Sequence, residues 1–193
     1  MRRIVVTEFM SLDGVMEDPG GGEGGKHGPW TFQFDRGPDG NKFKVDELFG
    51  SEAILLGRVT YQGFASAWPS RSGDEFSDRM NSIRKYVVST TLSDADATWN
   101  NTNVIRGDIA AEIARLKEQP GGDILVEGSS KLVSALMEHG LVDELRLMVF
   151  PIVLGGGKRL FDADGKSARL QLTSSATAGD GVLLLTYRTV AAA

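Results

Sequence analysis

Four residues, Gly57-Arg58-Val59-Thr60, close a short apolar run that begins at Ala53 and open a segment compatible with a helix. That order of types suits phosphate. Glycine lets the backbone come close, and the first turn of a helix leaves N–H groups unpaired at the positive end of its dipole. Arg58 adds a charged fork for phosphate oxygens and Thr60 a hydroxyl. The same arrangement returns at Val126-Glu127-Gly128-Ser129-Ser130, ahead of a segment with Leu132, Val133, Leu136 and Met137 on one face. Two such junctions can hold the two ends of a pyrophosphate. A further strand end, Ser89-Thr90-Thr91, supplies hydroxyls that serve as ordinary turn formers or as phosphate donors. The run Gly155-Gly156-Gly157-Lys158-Arg159 is not a phosphate-binding P-loop, because it lacks the spacer between the glycines and the Ser or Thr after the lysine.

The remaining composition narrows the partners. The chain has 193 residues, a formal net charge of −5 and no block of Lys and Arg, so neither nucleic acid nor an acidic membrane surface is expected as a partner. A small molecule is. Absence of cysteine excludes disulfides, thiol nucleophiles and thiolate metal sites, and no metal site is expected. Met1-Arg2-Arg3 leads directly into an apolar Ile4-Val5-Val6, without the features of a signal peptide, and no apolar stretch reaches the roughly 20 residues that span a bilayer. The expected location is the cytoplasm, and residues 1–193 read as a single domain.

These junctions need strands and helices to position them. Strands are expected over Ile4 to Met10, 53–57, Lys85 to Val88, Asn103 to Ile105, Asp123 to Glu127 and Val142 to Phe150. Within the last of these, Leu145, Leu147 and Val149 alternate with Glu144 and Arg146, which predicts one half-exposed face. Helices are expected over Asn41 to Phe49, about 58 to 66, Asp74 to Ile83, after the N-cap Asp108, and after Ser130. Arg169 to Ala178 and Val182 to Val190 flank Gly179-Asp180-Gly181 as a hairpin. Alternating strands and helices followed by a hairpin define an α/β fold: a mainly parallel central sheet flanked by helices, closed by an antiparallel C-terminal hairpin. Residues 18–30, with glycines at 20, 21, 22, 24, 25 and 28, form a loop that is either idle or a cover, ending on Trp30 as an anchor or a pocket wall.

Taken together, Ser11-Leu12-Asp13-Gly14, Leu55 to Tyr61, Val88-Ser89-Thr90, Val126 to Ser130, and Leu141 to Leu145 running to Phe150-Pro151 and Leu154 to Gly157 resemble the dihydrofolate reductase superfamily. Within it they are similar to the C-terminal reductase domain of the bacterial riboflavin biosynthesis protein, over about residues 3 to 190. The resemblance implies an NADPH-dependent reductase acting on a pteridine-, pyrimidine- or ribosylaminopyrimidine-like substrate. It places Gly57, Arg58, Val59 and Thr60 at the pyrophosphate and adenosine, and Ser89 and Thr90 at the 2′-phosphate. Gly128, Ser129, Ser130 and Leu132 would lie beneath the pyrophosphate and nicotinamide, Phe9 and Met16 would border the nicotinamide, and Trp30 would adjoin the substrate. Relatives in this family are commonly dimeric, which implies a homodimer.

Three departures stand out. Ser129 replaces the second glycine of a turn that in many relatives carries a cis peptide, a bond that costs about 3–4 kcal/mol between non-proline residues. Phe64 to Pro69 stands where the riboflavin reductases carry Asp-Asp-Pro. The acid of dihydrofolate reductases has its candidates in Asp35, which keeps the offset from Trp30, and in Asp46 or Glu47 of the following helix. With Asp13 of the first turn, the catalytic candidates are Asp13, Asp35 and Asp46. Arg58 and Arg106 are the basic residues expected around the 2′-phosphate, and no acid is expected there to accept a ribose hydroxyl, so NADPH should be preferred to NADH. The competing reading is a nucleotide-binding module without turnover.

Overall fold

The computed structural model describes residues 1–22, 24–161 and 165–190. Its strands are β1 (Ile4–Ser11), β2 (Ser51–Gly57), β3 (Arg84–Val88), β4 (Thr102–Ile105), β5 (Asp123–Glu127), β6 (Glu144–Phe150), β7 (Leu170–Ala178) and β8 (Val182–Thr189). The helices are α1 (Gly37–Phe49), α2 (Arg58–Ala67), α3 (Glu75–Ser82), α4 (Ile109–Glu118) and α5 (Ser130–Glu138). Strands pair in the order β4-β3-β2-β5-β1-β6-β8-β7. All neighbours from β4 to β6 are parallel, and β8 then runs antiparallel to β6 and to β7. This is the expected α/β architecture, with its antiparallel hairpin at one edge.

Parallel strands need cover on both faces, and the apolar runs supply it. One face packs Val6, Leu55, Val126 and Leu145 beneath α4 and α5, with Ile113, Val133 and Leu136. The other packs Val5, Ile54, Leu56 and Leu125 against Leu48 of α1, Tyr61 of α2 and Met80 of α3. Because β1, β2 and β5 occupy the middle of the sheet, their carboxyl ends converge. Ligands of open α/β sheets bind outside those ends.

Two expectations change. Helix α1 begins at Gly37 rather than Asn41, because Pro38 sits in its first turn, where a missing N–H interrupts no intrahelical bond. Strand β6 is not half exposed. It lies between β1 and β8, and Glu144 and Met148 of its supposed wet face are 4% and 0% exposed. Glu144 is neutralised by Arg3 at 3.1 Å and Arg146 at 2.7 Å, which allows a carboxylate at a buried position. Among the described residues no helix is long and apolar enough to cross a membrane.

Candidate active site

The two strand-to-helix junctions interlock. A Cβ at Gly57 would collide with Ser129 Oγ, and one at Gly128 would come within 2.9 Å of Thr60. The turns therefore touch through backbone and short hydroxyl side chains. Gly128 has φ +64°, which glycine adopts freely, but Ser129 follows at φ +68°, a left-handed conformation that disfavours a residue with a Cβ. Such local strain, of order 1–3 kcal/mol, gathers at sites that bind ligands. The Gly128–Ser129 peptide is trans, the cis bond among the described residues being Gly28–Pro29. Gly57 and Ser129 are the N-caps of α2 and α5, and neither helix start receives a side-chain cap, which leaves the first-turn amides without capping side chains. Thr60 is buried at 8% exposure, Val59 and Arg58 are exposed, Ser130 starts α5, and Leu132 faces the core. Arg58 is exposed and bonds the neutral Gln62 at 2.9 Å. Backbone N–H groups, a hydroxyl and an available guanidinium fit a pyrophosphate.

On the β3–β4 side, Ser89 leaves the sheet with its Oγ accepting from Thr91 N at 3.1 Å and Leu92 N at 2.9 Å. It closes the turn, and Thr90 stands exposed beside it. Arg106, just past β4, donates to Leu92 O and to Asp94 Oδ1, both at 2.8 Å. The expectation that no acid lies here is corrected: Asp94 arrives from the loop after β3, a distance in sequence that only the pairing of β3 with β4 closes.

On the other side, the carboxyl ends of β5 and β1 face α1. Lys44 forms an ion pair with Glu47, which is 0% exposed. Lys44 Nζ also donates to Thr7 Oγ1 at 3.1 Å, and that hydroxyl donates to Glu47 Oε1 at 2.8 Å. Glu47 Oε2 is buried without a hydrogen-bond partner. Thr7 pairs in register with Glu127, so the two side chains share a face. Burial lifts the Glu127 carboxyl above the ordinary value of 4.5, Lys44 opposing and Glu47 adding to the rise. For Lys44, burial favours the neutral amine, but the surrounding carboxylates, Glu47 foremost and then Glu127, outweigh it and raise its pKa. Phe9 roofs the group, with Lys44 Nζ 5.1 Å and Arg36 5.6 Å from its ring centre. A carboxyl raised by burial and coupled to a buried ammonium makes this group a candidate for acid-base chemistry.

The acids proposed from sequence do other work. Asp13 accepts from Ser11 Oγ at 2.7 Å, Leu154 N at 3.1 Å and Gly155 N at 2.9 Å, bonds that hold its carboxyl down at about 2. It therefore stays ionised at neutral pH and joins the turn after β1 to the turn after β6. Asp35 accepts from Gly37 N at 2.7 Å and, through its backbone, is bonded to Asp180 of the closing hairpin. Asp46 pairs with Lys42 at 2.6 Å on the outer face of α1. Its neighbour Glu47 is the one that turns inward. Of the residues expected to border the nicotinamide, Phe9 does line the charged group, while Met16 is 7% exposed and packs in the core. Trp30 is 0% exposed, packs edge-on to Phe150 at 5.4 Å, and donates its indole N–H to Glu17 O at 2.8 Å. In this conformation it anchors the loop. That loop is folded onto Asp18, whose Oδ2 accepts from Gly25 N at 2.8 Å, and Thr31 Oγ1 donates to Pro19 O at 2.6 Å. Neither Lys44 nor Glu127 carries a local pattern that marks it in the sequence, although Glu127 directly precedes the glycine turn. An open polar groove lined by Glu52, Arg79, Arg84 and Tyr86 lies at the opposite, amino-terminal ends of β2 and β3.

The sheet order and the paired glycine junctions define an open α/β domain whose turns meet at the carboxyl ends of β2 and β5. The chain matches the RibD C-terminal domain over residues 2–184 and belongs to that family. It is 30% identical over 192 residues to the uncharacterised protein YyaP of Bacillus subtilis (strain 168), covering 96% of this chain and 94% of that one. Among solved structures it resembles a Shewanella sp. PV-4 protein provisionally assigned to riboflavin biosynthesis, with a TM-score of 0.76 at 20% identity over 98% of this chain and 99% of the other. It also resembles the dihydrofolate reductase of Enterococcus faecalis, solved with NADP(H) and RAB-propyl, with a TM-score of 0.63 at 15% identity over 98% and 97% of the two chains. Likeness at these identities speaks for the fold.

Proposed function

We propose that this chain is an NADPH-dependent reductase that delivers hydride to a C=N or C=O bond of a small pteridine-, pyrimidine- or ribosylaminopyrimidine-like molecule. The observation that carries the proposal is the placement of Glu127: it shares a sheet face with Thr7, the hydrogen-bond partner of Lys44, and stands one residue before the turn that interlocks with Gly57, where burial raises its carboxyl above the ordinary value. Hydride transfer to such a bond needs one proton as well. Bound at the junctions, the nicotinamide would supply the hydride. The chain's own part is to hold phosphates on the α2 and α5 amides and Arg58, and to seat a flat ring against Phe9. Lys44 lends positive charge to the acceptor, and Glu127 provides the proton. Thr7 and Glu47 position Lys44.

The test is loss of NADPH absorbance on adding pteridines and ribosylated pyrimidines, with wild type and Glu127→Gln in parallel. Turnover that falls sharply in the variant while NADPH affinity holds supports the reading. NADPH binding with no substrate-dependent oxidation in any combination would instead leave a nucleotide-binding module. Arg58→Ala should weaken NADPH roughly tenfold, the loss of a charge-assisted hydrogen bond of about 1.5 kcal/mol at an exposed position.

A further inference from the structure

Resting on the dinucleotide reading above, we infer that Asp94 and Arg106 form a two-way selector at the adenosine ribose, so that Asp94 restrains the preference for NADPH and gives NADH a place to bind. The direction of the dinucleotide follows from the sheet. Its pyrophosphate belongs at the β2 and β5 junctions, and the acid-base group lies beyond β5, at β1 and α1. The nicotinamide half must therefore run that way, and the adenosine half the other way, over β3 and β4. From β2 to β4 is two strand spacings, about 10 Å. That reach ends where Ile105 passes into Arg106, beside Ser89, whose N–H donates to Ile105 O at 3.1 Å.

At that point the chain presents both solutions to ribose recognition at once. An arginine suits a 2′-phosphate and a carboxylate suits a 2′-hydroxyl. Here Arg106 Nη2 and Asp94 Oδ1 are 2.8 Å apart. The arginine is also fixed by Leu92 O, whereas Asp94 is 85% exposed on the loop and is free to swing out. With a 2′-phosphate the two anions compete for one guanidinium, and Asp94 must leave. With a 2′-hydroxyl, Asp94 accepts the hydrogen bond while Arg106 neutralises it.

The probes are NADPH and NADH, with adenosine 2′,5′-bisphosphate and 5′-AMP as fragments lacking the nicotinamide, titrated against wild type and three variants by calorimetry. Asp94→Asn should raise the ratio of NADPH to NADH affinity by about five- to tenfold, tightening the phosphorylated partner and weakening the other, as expected for an exposed charged contact. Arg106→Gln should lower the ratio by at least as much, and the fragments should follow the same order. Asp96→Asn, on the same turn and bonded to Ser93 at 2.5 Å, is the control and should leave the ratio unchanged. An unchanged ratio in Asp94→Asn, or equal losses for both cofactors in Arg106→Gln, overturns the selector alone. Failure of wild type to bind either dinucleotide overturns it together with the dinucleotide reading.

Discussion

The two halves of the proposed site are made of different material. The phosphate half is backbone: two glycine turns, two helix starts and short hydroxyls brought so close that a Cβ at Gly57 does not fit. The acceptor half is side chains: a lysine and a carboxylate from α1, a threonine from β1 and a glutamate from β5, gathered in a region largely withdrawn from water. A backbone site can serve any molecule that carries phosphate. A site of buried charges is particular to its substrate, and each charge depends on the others remaining in place.

The difference is sharpest under substitution. Lys44→Met leaves Glu47 buried without its counter-ion and should destabilise the fold by about 3–5 kcal/mol in denaturant unfolding, whereas Lys44→Met with Glu47→Leu should lose much less. Equal losses would show that the pair is not acting as a buried unit. Gly57→Ala should cost about 1–3 kcal/mol by overpacking against Ser129, with loss of NADPH affinity, and adding Ser129→Gly should restore both. Absence of rescue would mean that the junction relaxes by another route.

Acidity offers a gentler probe. Because the folded state raises the Glu127 carboxyl, its protonated form is favoured on folding. The stability linked to it is fully present below the ordinary carboxylate value and is lost as pH rises through the raised one. As pH rises from the ordinary carboxylate value through the raised one, the melting temperature of wild type should thus fall relative to Glu127→Gln. Parallel profiles would refute the assignment. Asp13, held at about 2, acts with the opposite sign, since its contribution is present above the ordinary value and fades only in strong acid. Asp46→Asn marks the lower limit. Its exposed pair with Lys42 is worth about 0.3–0.5 kcal/mol, and turnover should not change.

What was legible followed the same division. Gly57, Thr60, Gly128 and Ser129 could be found in the sequence because a strand, a glycine, a hydroxyl and a helix start are neighbours along the chain, and local order alone builds the turn. The α/β class was legible for the same reason, through the alternation of apolar runs with helical periods. Glu47 and Asp46 were not separable by type or spacing. They are adjacent on α1, and only packing against Thr7 turned one inward and left the other with Lys42. The alternation in β6 misled because its wet face is covered, with Glu144 held by arginines from β6 itself and from the start of the chain. Asp94 and Arg106 are separated by the whole of β4 and meet because parallel pairing of β3 with β4 lays their exits side by side. The elements, their order and the two glycine turns were legible because they depend on neighbours in the chain. Which charges face one another was decided only by the tertiary structure, because burial and strand pairing join residues that no local pattern connects.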